Sequence, residues 1–239
     1  ETQEIVVETY SMTQKDWKKS NLFSVVLMVM HSFKAGFYIM NYLKSEMNIS
    51  SKNFLKFICD RSSKTKHPFI YKNFIKNIDN WTDAMLEGRG KAIFNPKYSD
   101  VYLDIEEVIF LDISQNFEIF YKELKDLVKK LIGEKKWKEN YEIIDEIFAY
   151  QNLRMPRINM TNKKINFNYN IAEYMFFFGS NNQVTLSKCK NSIQTVNVIN
   201  CQTNYWEFTK KRIIWARKDD KIKNEIDYDN QMLEKLMKI

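Results

Sequence analysis

Leu22-Phe23-Ser24-Val25-Val26-Leu27-Met28-Val29-Met30 is apolar on every side of a helix projection. Two settings stabilise such a helix: the centre of a protein, where neighbours cover all its faces, or a lipid bilayer. Length separates them. The uncharged run from Ser20 to Phe33 is 14 residues and stops at Lys34, whereas a span needs about 20. The stretch reads as a buried central helix, and no membrane association is expected. Just upstream, Thr13 suits an N-cap and Asp16 complements the helix dipole. The helix is expected to start there and to run to about Ser45.

Working outward, the same 3.6-residue rhythm recurs. Ser50 or Ser51 can cap a helix carrying Phe54, Leu55, Phe57 and Ile58, and Lys64–Pro68 is a break. A third helix is expected from about Tyr71 to Glu87, ended by Gly88-Arg89-Gly90, with a turn at Asn95-Pro96. Further helices are expected over Ile105–Asp112, Asn116–Ile132 (ended by Gly133) and Trp137–Tyr150. The last third changes character. Lys164–Tyr169 alternates with period two, as a half-buried strand does. Gln183–Leu186 and Ile193–Ile199 are β-branched and read as strands, Ile171–Phe178 as a short helix, and Tyr205–Arg217 as a final helix or, at Ile213–Trp215, a strand. The tail after Lys218 reads as polar and poorly ordered. The expected fold is mainly α: a helical bundle-like domain over 1–160, with a small α+β part over 161–239 packed on it or continuous with it.

Composition agrees. Hydrophobic residues make up 44% of the 239, enough for a sizeable core, and Gly (5) and Pro (3) are too scarce for a turn-rich all-β fold. The net charge of +7 fits either an anionic partner or a lysine-rich solvated surface. Cys59, Cys189 and Cys201 are odd in number and widely spaced, which gives no disulfide framework and points to a reducing, cytoplasmic compartment. The sequence begins at Glu1 rather than Met, which raises the expectation that it is part of something longer.

Searched for chemistry, the sequence offers little. Gly88 and Gly90 are the only close glycine pair and have no preceding strand, so they read as a helix end, not a phosphate cradle. The two histidines, His31 and His67, lie far apart; His31 reads as a hydrogen-bonded core residue and His67 as an exposed loop residue. Cys59 reads as a buried, inert thiol. The adjacent carboxylates Glu106-Glu107, Asp145-Glu146 and Asp219-Asp220 point in different directions on a helix and read as solvated or dipole-pairing groups. Trp206–Lys218 mixes aromatic and basic residues, but without a nucleic-acid motif it reads as a packing helix.

One ordered set of residues stands out: Thr13-Gln14-Lys15-Asp16-Trp17, Phe23-Ser24, Met30-His31 and Tyr42-Leu43. It continues with Glu107 through Leu111, Phe120-Tyr121-x-Glu123-Leu124, Tyr150-Gln151 with Pro156 beyond, and Phe208 through Ile213-Ile214-Trp215-x-Arg217-Lys218. This set resembles the region downstream of the catalytic core in B12-binding-type (cobalamin-dependent) radical SAM proteins, a group of Fe-S oxidoreductases, and covers most of the chain. The resemblance implies a parent with a cobalamin-binding Rossmann domain and a radical SAM barrel that holds a [4Fe-4S] cluster and S-adenosylmethionine. Neither defining motif is here: there is no C-x-x-x-C-x-x-C run, and neither histidine sits in a D-x-H-x-x-G.

The resemblance therefore implies an accessory, substrate-covering domain that is not catalytic alone. Its partners would be the B12-binding and radical SAM domains of the same polypeptide and a small-molecule substrate of unknown identity; nucleic acid is not an expected partner. The residues it marks as facing substrate are His31, Tyr150, Gln151, Trp215 and Arg217, each with packing or a salt bridge as the competing role. The rival expectation is a stand-alone helical binding protein for an anionic or nucleic-acid partner, with an independent enzyme ranked last.

Overall fold

The structure is a computed structural model and describes residues 6–60, 66–90, 92–198, 202–214 and the backbone of 226–228. It is mainly α with a small β part, as the sequence indicates. Helix α1 (Gln14–Leu27) starts at Thr13, whose hydroxyl accepts from the Asp16 amide. It runs into a π-helical turn (Met28–Ser32), bends by 94° across residues 33–36, and leads to α2 (Phe37–Glu46). Then come α3 (Ser51–Ile58), capped by Ser50, α4 (Pro68–Ile70), a second π turn (Tyr71–Ile75) and α5 (Lys76–Leu86). A short antiparallel hairpin, β1 (Ile93–Phe94) with β2 (Tyr102–Leu103), leads to α6 (Ile105–Ser114), α7 (Phe117–Ile132) and α8 (Glu134–Leu153).

The β part joins β3 (Lys163–Tyr169), β4 (Lys188–Val198) and β5 (Ile226–Tyr228) in the order β3-β4-β5, all antiparallel. Helix α9 (Ile171–Phe176) lies between β3 and β4 in sequence, and α10 (Tyr205–Thr209) continues as a π turn (Lys210–Ile214). The β part shares the helical core. Phe167, Ile171, Tyr174 and Phe208 belong to the same buried cluster as Val26, Val29, Phe74 and Phe120. The Glu146 carboxylate on α8 accepts from the backbone amides of Asn168 and Tyr169.

Several expectations need correcting. The single helix to Ser45 is two helices, because the chain bends by 94° at 33–36. Lys34 adopts φ 61° there, and Gly36 is packed so closely that a Cβ would lie 2.2 Å from Met30 Cε. The central helix is covered on one side only. Leu22, Val25, Val26, Val29 and Met30 are buried, whereas Ser24, Leu27, Met28, His31 and Ser32 are exposed. His31 is thus a surface residue, and His67 is the buried one, because α7 closes over the start of α4. Cys59 is only half-buried. Residues 183–186 form no strand, and 226–228 of the expected tail pair with β4. Trp215, Arg217 and the tail residues other than 226–228 lie outside the described residues.

No single helix among the described residues is long and apolar enough to cross a membrane. Only α1 with its π turn, taken together with α2 across a 94° bend, meets the length and composition test.

Candidate functional site

The bend at 33–36 gathers three stretches that are far apart in sequence. Gln151, on α8, is fully buried. Its Oε1 accepts from the Tyr38 backbone amide at 3.0 Å. Its Nε2 donates to the Lys34 carbonyl at 2.7 Å and to the Tyr121 hydroxyl at 3.3 Å. Tyr121, on α7, donates in turn to the Ala35 carbonyl at 3.1 Å. A backbone that leaves helical geometry must find new partners for its polar groups, and here buried side chains supply them. Burial raises the Tyr121 hydroxyl well above the ordinary tyrosine range, so it stays a protonated donor.

Tyr150 packs its ring against Tyr38 at 5.0 Å and Phe167 at 6.1 Å, linking α2, α8 and β3. His31 sits on the outside of the same corner, its ring edge-on to Phe37 at 5.3 Å, and the Lys34 ammonium lies 6.0 Å from the centre of the Phe37 ring. Of the residues marked in the sequence, then, His31, Tyr150 and Gln151 converge. Only His31 offers atoms to the exterior; Tyr150 and Gln151 act from inside.

Outward from His31 runs the exposed face of α1. Residues four apart on a helix share a face, so Ser24, Leu27, Met28, His31 and Ser32 make one strip with half-buried Phe23 beside it. The strip has no charged side chain between Ser20 and Phe33, in a chain that is 28% charged. Leu27 and Met28 remain 37% and 38% exposed. The apolar run signalled burial on all sides; the structure shows half of that burial within the chain and leaves the other half open.

Sequence reasoning missed three polar anchors. Glu123, buried on α7, accepts from the backbone amides of Phe69 and Ile70 at 3.0 and 2.8 Å. Glu107, also buried, completes a capping box with Asp104 at the start of α6. The pattern Asp104-x-x-Glu107 was the available signal for that box. Tyr98, fully buried, donates to Asp112 and receives from Gln115. Burial pushes the Asp112 carboxyl up, with the Tyr98 hydroxyl and Lys97 pulling against that shift.

A second exposed group lies on the β1–β2 hairpin. Phe94 and Tyr102 pair at 5.7 Å, and the Trp206 indole donates to the Pro96 carbonyl at 3.0 Å. A cleft of about 450 Å³ opens at the start of α7, lined by Asn116, Ile119, Arg157 and Tyr205 among others. The Arg157 guanidinium stacks 4.6 Å over the Phe117 ring and donates to Asn152. Among the described residues no three His, Cys, Asp or Glu side chains come together as metal ligands. No family model matches the chain, and no curated protein matches it.

Proposed function

We propose that this chain is the accessory, substrate-covering domain of a cobalamin-dependent radical SAM enzyme and acts in the cytoplasm. The observation that carries the proposal is the uncharged outward strip of α1 ending at His31. Its exposed or half-buried members include Phe23, Ser24 and His31, which are among the residues carrying the resemblance. An open apolar strip of this kind suits a surface that another body covers. A radical intermediate needs a site closed to water, and a lid contributes by exclusion and positioning. The catalytic parts of the parent would hold the [4Fe-4S] cluster, S-adenosylmethionine and cobalamin. This chain would supply the wall, with the His31 imidazole as its hydrogen-bonding group.

The test is to purify the undivided gene product without oxygen and measure iron, sulfide and cobalamin absorbance. About four irons per chain, as a [4Fe-4S] cluster requires, with bound cobalamin is the expected result. A metal-free product no larger than this 28.8 kDa chain would refute the proposal. The exposed Phe94, Tyr102 and Trp206 rings in a +7 chain favour a second reading, a binder of single-stranded nucleic acid through base stacking. Its affinity would have to fall steeply with salt.

A further inference from the structure

We infer that Gln151 is a positioning residue that fixes where the His31 imidazole stands, although the two side chains do not touch. The inference rests on the reading of His31 as the outward group of the covering face. The stretch from Lys34 to Tyr38 joins the π turn bearing His31 to the helix bearing Phe37, the ring against which His31 rests, and its Ala35 and Gly36 amides also donate to the Val29 and Met30 carbonyls of the π turn. The Gln151 amide holds both ends of that stretch at once, accepting from the Tyr38 amide and donating to the Lys34 carbonyl. A primary amide does this from two separate atoms, whereas a carboxylate cannot donate, an ammonium cannot accept, and a hydrocarbon does neither.

Three features make the arrangement stiff. Lys34 sits at φ 61°, a conformation costly for a side-chain-bearing residue, and its own carbonyl is the Gln151 acceptor. Gln151 is 0% exposed and its bond from the Tyr38 amide is buried, so water is not at hand to replace that bond. Tyr121 braces the same stretch through the Ala35 carbonyl and is bonded to Gln151 itself. Loss of the amide releases the left-handed residue, Phe37 moves with α2, and His31 loses the ring that orients it. The helices are held by the rest of the core and remain.

The sequence contains just two histidines, so the experiment has an internal control. The ring Cε1–H signals of both are recorded by NMR in the wild-type chain and in Gln151→Leu. The expected result is a shifted or broadened His31 signal that loses its cross-relaxation peak to the Phe37 ring, with the His67 signal in place. An unchanged His31 signal and Phe37 peak in folded Gln151→Leu would overturn the inference. So would equal displacement of both histidines, which marks a general loss of packing. Tyr121→Phe, which removes one hydroxyl, serves if Gln151→Leu does not fold: a smaller shift of His31 alone supports positioning, and no shift refutes it. None of these readouts involves a cofactor, so they stand or fall separately from the iron and cobalamin measurement.

Discussion

Replacing Glu123 should unfasten the start of α4, and the size of the effect comes from a count of backbone donors. The first turn of a helix has amide groups with no partner inside the helix. Here the turn begins at Pro68, which has no amide hydrogen to satisfy and is well suited to that position. The next two amides, Phe69 and Ile70, both donate to the Glu123 carboxylate, and the Tyr71 amide reaches the His67 carbonyl at 3.0 Å. One carboxylate from a helix more than fifty residues away thus completes the turn. Hydrogen bonds to charged groups contribute about 1.5–3 kcal/mol each. Glu123→Ala strips both and leaves two buried amides without a partner, so even the low end for each gives about 3 kcal/mol in all. For a chain of this size that is roughly a 6–12 °C drop in Tm. Glu123→Gln keeps one acceptor and turns its amino group toward the other amide, and should cost about half as much, ~1.5 kcal/mol. Urea unfolding at pH 7, followed by tryptophan fluorescence, measures both. Lys122→Ala, exposed on the same helix, is the control and should stay within about 0.5 kcal/mol. A Glu123→Ala cost below about 1 kcal/mol would mean that the two bonds do not hold the turn.

Gly36→Ala tests the close approach at the bend. The added methyl group would meet the buried Met30 thioether end, and the rearrangement should cost about 1–3 kcal/mol in the same unfolding assay; a neutral result would mean Met30 has room to turn. Asp112→Asn tests the Tyr98 network through its pH dependence. Burial raises the folded-state pKa of Asp112, so the wild type binds its proton more tightly folded than unfolded. That contribution is full below the ordinary aspartate value near 3.9 and is lost as pH rises through the folded value. The variant cannot ionise, so its stability relative to wild type should improve between about pH 4 and pH 7. A stability difference independent of pH would refute the assignment.

Local chemistry decided what was legible in the sequence. Thr13 with Asp16, and Ser50 before Phe54 and Leu55, announce helix starts because a cap and its helix are neighbours in the chain. Gly133 stops α7 at φ 83° for the same local reason, and the alternation of Lys164–Tyr169 reflects the two-residue period of a strand. The bend at 33–36 was not legible. Nothing in Phe33-Lys34-Ala35-Gly36 breaks a helix decisively, and the groups that take over the freed backbone, Tyr121 and Gln151, lie 86 and 117 residues further on. The same distance hid His67. Before a proline it looks like a loop tip, and only the docking of α7, with Glu123 and Lys130, turns that loop into an interior.

The residues behind the family resemblance divide by what they do in the fold, and the division decides how much each says about function. Thr13, Glu107 and Glu123 start helices, and Tyr121 and Gln151 hold the bend at 33–36. Each has a bond within this fold that explains its presence, so none of them carries functional weight. Phe23, Ser24 and His31 are different. They stand half or fully outside the core, on a strip whose lack of charge the rest of this chain does not require. Functional weight therefore falls on the outward group. In the proposed parent enzyme, lost turnover from Glu123→Ala would report only unfolding near α4. Lost turnover from His31→Ala, with the melting temperature unchanged, would report contact with substrate, because an exposed imidazole edge-on to Phe37 has little folding energy to lose.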